Sequence, residues 1–249
     1  MKDEFEKQAR YSGLGETYFW LSGQNTIVEQ RLGPVLEHAV REAAPRMIRI
    51  LDIGCGPGNT LIRLSRWGRA YGMDYSLDAL RFARNKGIQH VFSADSTVLP
   101  MKSESFDCVV ALDVLEHVAD DETALREIAR VLRPRGVFLL TVPAFMSLWR
   151  YHDEMYGHYR RYAKSEFTDK VRRAGLTIIG CHFFKCAFFP ALWLLAKLER
   201  LRLIPRRDNF FSVPKWLNTA MESFIVWENS SGFARCVPFG VSLLCVGRR

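Results

Sequence analysis

The stretch ILDIGCGPGNT, Ile50 to Thr60, decides how this chain is read. An apolar run broken only by Asp52 gives way to glycines at alternate positions, Gly54, Gly56 and Gly58. Residues 49–54 predict a buried strand. Apolar residues at 61, 62, 64 and 67, closed by Gly68, predict a helix over 60–68. Strand, bare turn and helix in that order make a ligand site in doubly wound folds, because glycine lets the backbone turn tightly and approach a ligand closely.

Working outward, the same alternation continues. Strands are predicted at 70–74, 88–95, 106–114 and 137–143, and helices at 76–87 and 121–136. Ser76 is placed as an N-cap and Gly87 as a C-terminal stop. Strand 106–114 is nearly all apolar, as a strand covered on both faces is. Repeated β-α-β order predicts the α/β class, a doubly wound, mostly parallel sheet with helices on both sides.

The turn is not a dinucleotide fingerprint. Counting from Gly54, the last glycine of G-x-G-x-x-G is replaced by Asn59, and no Gly-Lys-Ser/Thr follows to make a P-loop. Asp74 ends the second strand, where a carboxylate accepts both hydrogen bonds of a ribose diol. Capping the next helix is its bland alternative, a role that Ser76 already fills. Asp95 and Asp113 end the third and fourth strands. With Asp52, four carboxylates converge on one crevice, which repels a pyrophosphate and suits a nucleoside whose other end is positive.

Composition sets bounds. The chain has 249 residues, 48% hydrophobic and 25% charged, ordinary for a folded protein. The charged N-terminus MKDEFEKQAR lacks the apolar region of a secretory leader. Six cysteines contain no C-x-x-C pair and read as buried free thiols of a cytoplasmic protein. The net charge of +8 is uneven: residues 150–249 hold 17 basic against 8 acidic residues. Such a lobe meets nucleic acid, an anionic membrane surface or a phosphorylated substrate, or is simply solvated.

The segments LDIGCGPGNT, GMDYS, ADSTVLP, FDCVVALDVLEHV and LRPRGVFLLTVP resemble, in order and spacing, a class I S-adenosylmethionine-dependent methyltransferase. DVLEHV is similar to the branch that includes ubiquinone and menaquinone methyltransferases. The resemblance implies a Rossmann-like methyltransferase fold with a seven-stranded sheet and a helical cap. It implies an N-terminal segment over the site at 1–45, a cofactor-binding core at 46–183, a lid at 184–236 and a last strand at 237–249. S-adenosylmethionine is the implied cofactor. Gly54, Gly56 and Gly58 would cradle its methionine part and Asp52 would support its amino end. Asp74, with Tyr75 beside it, would hold the ribose, and Asp95 and Ser96 the adenine edge. Asp113 would flank the methionyl or acceptor side, and His117 reads as a wall of the cofactor pocket.

The run after strand five holds the candidate chemistry. His152 or His158 is a candidate general base, since an unperturbed imidazole titrates at about 6.5, and Asp153 is the candidate that orients it. Tyr156 lies nearby, and Arg160 and Arg161 suit an acidic or phosphate-bearing acceptor. The bland alternative is a polar run that ties cap to core. Spacing along the chain offers no metal site. Strand six is expected at 175–184, a helix from Pro190 and another over 214–229. Phe188, Phe189, Trp193, Leu194, Trp216, Phe224 and Trp227 are expected to wall an apolar acceptor pocket, closed by Tyr18, Phe19 and Trp20, with arginines 160, 161, 206 and 207 at its mouth. The basic apolar helix reads as a lid or, more sharply, as a peripheral contact with a membrane surface. The partner expected is therefore a mostly apolar small molecule with an acidic or phosphate end. Methylation of RNA by the basic lobe is an alternative, disfavoured because no N-P-P-Y-type motif is present to stack a flipped base. A third is a reaction such as cyclisation on the same fold.

Overall fold

Strand β1 (Arg49–Ile53) lies inside the sheet between β2 (Arg69–Asp74) and β4 (Phe106–Leu112), parallel to both. The computed structural model describes residues 18–206, 213–231 and 237–249. The order across the sheet is β3 (Val91–Ser93), β2, β1, β4, β5 (Leu132–Pro143), β7 (Ser242–Arg248) and β6 (Thr177–Phe184). The first five strands are parallel, and β7 runs antiparallel to both β5 and β6.

Alternation along the strands sends side chains to two cores. Ile50, Cys108, Val110 and Leu139 face one side, under α1 (Phe19–Ala43). Leu51, Val109, Phe138 and Leu140 face the other, under α4 (Asp121–Val131) and α6 (Lys164–Arg173). Strands covered on both faces need no polar face, which is why these runs are apolar throughout. Between β1 and β2 lies α2 (Asn59–Leu64), and between β2 and β3 lies α3 (Leu77–Asn85). The Ser76 hydroxyl accepts from Ala79 N at 3.3 Å, the N-cap read from the sequence.

Three boundaries differ from the sequence expectation. The helix expected over 60–68 stops at Leu64, and the strand expected over 88–95 spans only Val91–Ser93. The helix expected over 121–136 ends at Val131, and Leu132 already pairs with Phe106. Pro134 explains this: it has no N–H for a helix and pushes Arg133 out of helical geometry.

Beyond β5 come α5 (Tyr151–Met155), α6, and then α7 (Phe189–Arg200) and α8 (Lys215–Ser230). Helix α8 crosses α1 closely: a Cβ on Gly23 would stand 3.2 Å from Ile225 Cγ2. Phe19 N donates to Asn218 Oδ1 at 2.9 Å, and Arg31 donates to the Asn229 carbonyl at 2.9 Å. From α8, the fully buried Glu228 accepts from Cys186 N at 2.7 Å and Ala187 N at 2.8 Å, satisfying two amides just before α7. Residues 1–17 of the expected N-terminal segment, Arg207 and Cys236 lie outside the described residues. No helix among the described residues is long and apolar enough to cross a membrane.

Glu228→Ala leaves the buried Cys186 amide and the partly buried Ala187 amide without their side-chain partner. It is expected to lower the unfolding free energy by about 3 kcal/mol, with a smaller loss for Glu228→Gln. The urea midpoints at constant m-value check both.

Candidate functional site

Loops at the carboxyl ends of the parallel strands enclose a cavity of about 900 Å³. It opens beside β1, where the strand order reverses, the position at which open α/β sheets bind ligands. Its base is the turn after β1. Asp74 Oδ2 accepts from Gly56 N and Oδ1 from Ser76 N, both at 2.8 Å, so one carboxylate ties the turn to the start of α3. The glycines divide the work. A Cβ on Gly58 would come within 2.2 Å of Ile88 Cδ1, so Gly58 serves packing and does not line the cavity. Gly56, at φ +53°, would carry a Cβ into open space; there the bare backbone leaves room for a ligand.

Asp52 lies buried beneath the turn with Oδ2 unpaired. Burial first, and then the Asp74 charge, pushes its carboxyl well above the usual range. Asp95 Oδ1 accepts from Thr97 N at 2.8 Å and from its hydroxyl at 2.7 Å, which holds that carboxyl below its ordinary value. Tyr75, Ser96 and Asp113 also line the cavity. Asp113 is held in left-handed geometry at φ +52°: its Oδ1 accepts from the Thr141 hydroxyl at 2.9 Å and its Oδ2 from Gln24 Nε2 at 2.8 Å. Gln24 comes from α1 and in turn accepts from Lys185 Nζ at 2.7 Å. Lys185 is buried, with its ammonium 4.0 Å from the centre of the Trp20 ring. Burial pushes its pKa down to about 7, against the opposing pull of Asp113. Gln24 and Lys185 carry no recognisable local motif, and the fold alone brings them to Asp113.

The candidates after β5 separate. Tyr156 lines the cavity, while His152, Asp153 and His158 do not. Asp153 is fully buried; it accepts from His158 Nδ1 and Arg161 Nε at 2.8 Å each and from Arg150 N at 2.9 Å. Burial opposes its charge, but the His158 hydrogen bond and the Arg161 charge outweigh this and hold the carboxyl down to about 2. Asp153 thus orients His158, one of the two histidines the sequence left open, from inside the cap. The His158 ring stands 4.6 Å from that of His117, edge to face. His117 lines the cavity, hydrogen-bonded to the Tyr156 main chain. The enclosing walls strip its water and, with His158 adjacent, bring its pKa down to about 4. His152 packs against Tyr156, ring centres 4.5 Å apart.

Two sequence expectations are corrected. Arg161 does not stand at the mouth but is buried on Asp153, while Arg160 binds the carbonyl of Ala119, which lines the cavity, and Asp121. Nor do the cap aromatics line this cavity. Trp193, Leu194, Trp216, Phe224 and Trp227 are exposed, Phe188 packs on Phe19 and Trp20, and Phe189 packs on Phe145 and Phe239. The apolar part of the cavity wall instead includes Leu21, Leu112, Val114, Val118 and Tyr159. Tyr159 escaped the sequence reading; its N–H donates to the Glu116 carbonyl at 2.7 Å, joining the run after α5 to the turn after β4.

Residues 51–140 match the family model described as a methyltransferase domain. The demethylmenaquinone methyltransferase of Roseiflexus castenholzii is 40% identical over 38% of this chain and 42% of its own length. The malonyl-[acyl-carrier protein] O-methyltransferase of Enterobacter lignolyticus is 33% identical over 53% of this chain and 55% of its own. The chain thus spans about half, or less, of the length of the curated relatives it matches. A chain of the complex between the Haloferax volcanii Trm112 methyltransferase activator and a methyltransferase superposes with a TM-score of 0.59 at 21% identity, covering 99% of this chain and 96% of that one, a likeness of fold.

The site fits S-adenosylmethionine, the cofactor of this domain. An unpaired buried carboxylate oxygen on Asp52 and the open cradle at Gly56 sit on the same turn, beside Asp74. These acidic groups suit a ligand that carries both an ammonium and a sulfonium.

Lys185 supplies a pH test. Its folded pKa of about 7 lies below the unfolded value of about 10.4, so between these limits the unfolded chain binds more protons and stability rises with pH. The stability of the native chain relative to Lys185→Met is expected to be flat below pH 6 and to climb above pH 7, by up to about 1.4 kcal/mol per pH unit. Urea unfolding at several pH values reads it, and a constant difference refutes the lowered pKa.

Proposed function

We propose that this class I S-adenosylmethionine-dependent methyltransferase methylates a small, largely apolar acceptor that carries no negative charge. The observation that carries this reading is the cavity lining. It holds five carboxyl groups, Asp52, Asp74, Asp95, Asp113 and Asp120, together with apolar and aromatic side chains, Leu21, Val114, Val118, Tyr156 and Tyr159. Among the described lining residues there is no lysine or arginine to balance an anionic acceptor. The same lack speaks against RNA, whose affinity rests on basic side chains set against phosphates. Apolar lining of this kind draws an acceptor out of water at about 25 cal/mol per Å² of apolar surface buried.

The bound cofactor supplies an electrophilic methyl group. The chain's own residues do the rest. Asp74 and the Gly56 amide hold the turn on which the cofactor rests, and Asp52 lies beneath it. Gln24, fixed between Lys185 and Asp113, closes the side facing α1 and keeps bulk water from the reacting groups. The apolar wall orients the acceptor. His117, held at one ring nitrogen by the Tyr156 main chain, presents the other toward the acceptor side of the cavity.

Two measurements test this. Calorimetry with S-adenosylmethionine is expected to give one site per chain, weakened at least about tenfold, or 1.4 kcal/mol, by Asp74→Asn. Mass spectrometry of incubations with S-adenosylmethionine is expected to find methylation among neutral apolar phenols and amines in preference to carboxylated analogues or RNA. Preference for the carboxylates or for RNA refutes the acceptor class. Unchanged cofactor affinity in Asp74→Asn refutes the assigned cofactor geometry.

A further inference from the structure

Beside the acceptor wall, two distant parts of the chain bring metal-ligating atoms together. Glu116 and His117 stand on the 3-10 turn after β4, and His158 follows α5. One ligand atom from each lies within 4.8 Å of the other two. Tetrahedral ligands about 2.0–2.2 Å from one ion stand about 3.3–3.6 Å apart, so closure on an ion draws the widest pair together by up to about 1.5 Å.

Three further observations point to a cation. Glu116 is 1% exposed, and its Oε2 has no hydrogen-bond partner, an arrangement that burial makes unfavourable unless something completes it. His158 turns Nδ1 to the Asp153 carboxylate at 2.8 Å, which leaves Nε2 as its ligating atom. His117 is hydrogen-bonded to the Tyr156 main chain. A second ring nitrogen held by a carboxylate or a carbonyl is the usual support of a metal-bound histidine. The charges agree: Asp113 adds to Glu116, while Arg161 and Asp153 pair with each other.

We propose that Glu116, His117 and His158 bind one divalent first-row transition-metal ion, with open positions toward the cavity that His117 lines. Two imidazoles and one carboxylate suit Zn²⁺ or Fe²⁺ and leave room for an exogenous oxygen ligand. The expected absence of a metal site rested on spacing along the chain, and the ligands here come from segments joined only by the fold. The catalytic role rests on the methyl-transfer reading. The ion binds a hydroxyl oxygen of the acceptor and acidifies it, and the proton leaves to solvent water. The oxygen lone pair then forms the O–CH₃ bond as the S–CH₃ bond breaks, its electron pair returning to sulfur as the neutral thioether. The acceptor class narrows to alcohols or phenols.

Chelator-stripped protein titrated with Co²⁺ tests the site. One equivalent is expected to bind and give visible d–d absorption, and Zn²⁺ is expected to displace it. His117→Ala, whose side chain lies exposed on the cavity wall, is expected to weaken Co²⁺ at least tenfold, as is Glu116→Gln. Asp153→Asn is expected to weaken it less, acting through His158. Absence of stoichiometric binding to the native chain overturns the proposal. So does thiolate charge-transfer intensity, which assigns the ion to cysteine, or unaltered affinity in His117→Ala. Co²⁺ binding without any methylation overturns the methyl-transfer reading and leaves the site standing; methylation without Co²⁺ binding does the reverse.

Discussion

The carboxylate of Asp74 holds the site together. It ends β2, yet its two oxygens fix the Gly56 amide on the turn after β1 and the Ser76 amide at the start of α3. Three elements that meet only at the sheet's carboxyl edge are thereby locked in one geometry. Such hydrogen bonds to a charged acceptor contribute about 1.5–3 kcal/mol each. A turn with glycines at φ +69°, +53° and +82° needs that fastening, because glycine has the most conformational freedom to lose. Burial first, and then repulsion from this same carboxylate, raises the buried Asp52, a cost that a positive ligand relieves.

The second half of the chain solves a related problem with buried charge. Glu228 satisfies two amides before α7, Asp153 gathers His158, Arg161 and the Arg150 amide, and Asp121 gathers Tyr162, Lys170 and Arg160. Each is a carboxylate with several donors, the condition under which burial of charge is tolerated. Lys185 is the exception, a buried cation facing one amide oxygen and an aromatic ring, and it is the group whose pKa falls to about 7. It sits behind Gln24 and Asp113, where α1 and β6 come together over the cavity.

Legibility in the sequence followed the range of the interactions. The core from β1 to β5 was readable because its signals are local: apolar strands, the Ser76 cap, and an acidic residue ending each of β2 and its neighbours. Pro134 was equally local, and its helix-ending role at Val131 was there to be weighed. The acceptor side was not readable in this way. Gln24, Lys185 and Tyr159 have no periodic or motif signal, and meet the rest of the site only through contacts that span much of the chain. His158 and Asp153 stood out by type, but which of His152 and His158 meets Asp153, and their position behind the cavity wall, depend on how α5 packs.

The basic excess of the last hundred residues illustrates why composition does not translate into a surface. Arg161, Arg160 and Lys170 are drawn inward by Asp153 and Asp121, while Arg173 and Arg206 pair with Glu122 and Glu154. Several of these acidic partners belong to the first half of the chain, whose formal charge is slightly negative, so the asymmetry along the sequence is partly cancelled by the fold. The aromatic excess behaves in the opposite way. Trp193 and Leu194 on α7, and Trp216, Phe224 and Trp227 on α8, point outward instead of closing over the site. Helix α8 turns Ile225, Glu228 and Asn229 inward against α1 and α7, and a helix that spends its inner stripe on those contacts cannot offer the same stripe to a ligand. The cavity is therefore walled by the strand ends, α1 and the run after α5 that supplies Tyr156 and Tyr159, and not by α7 or α8.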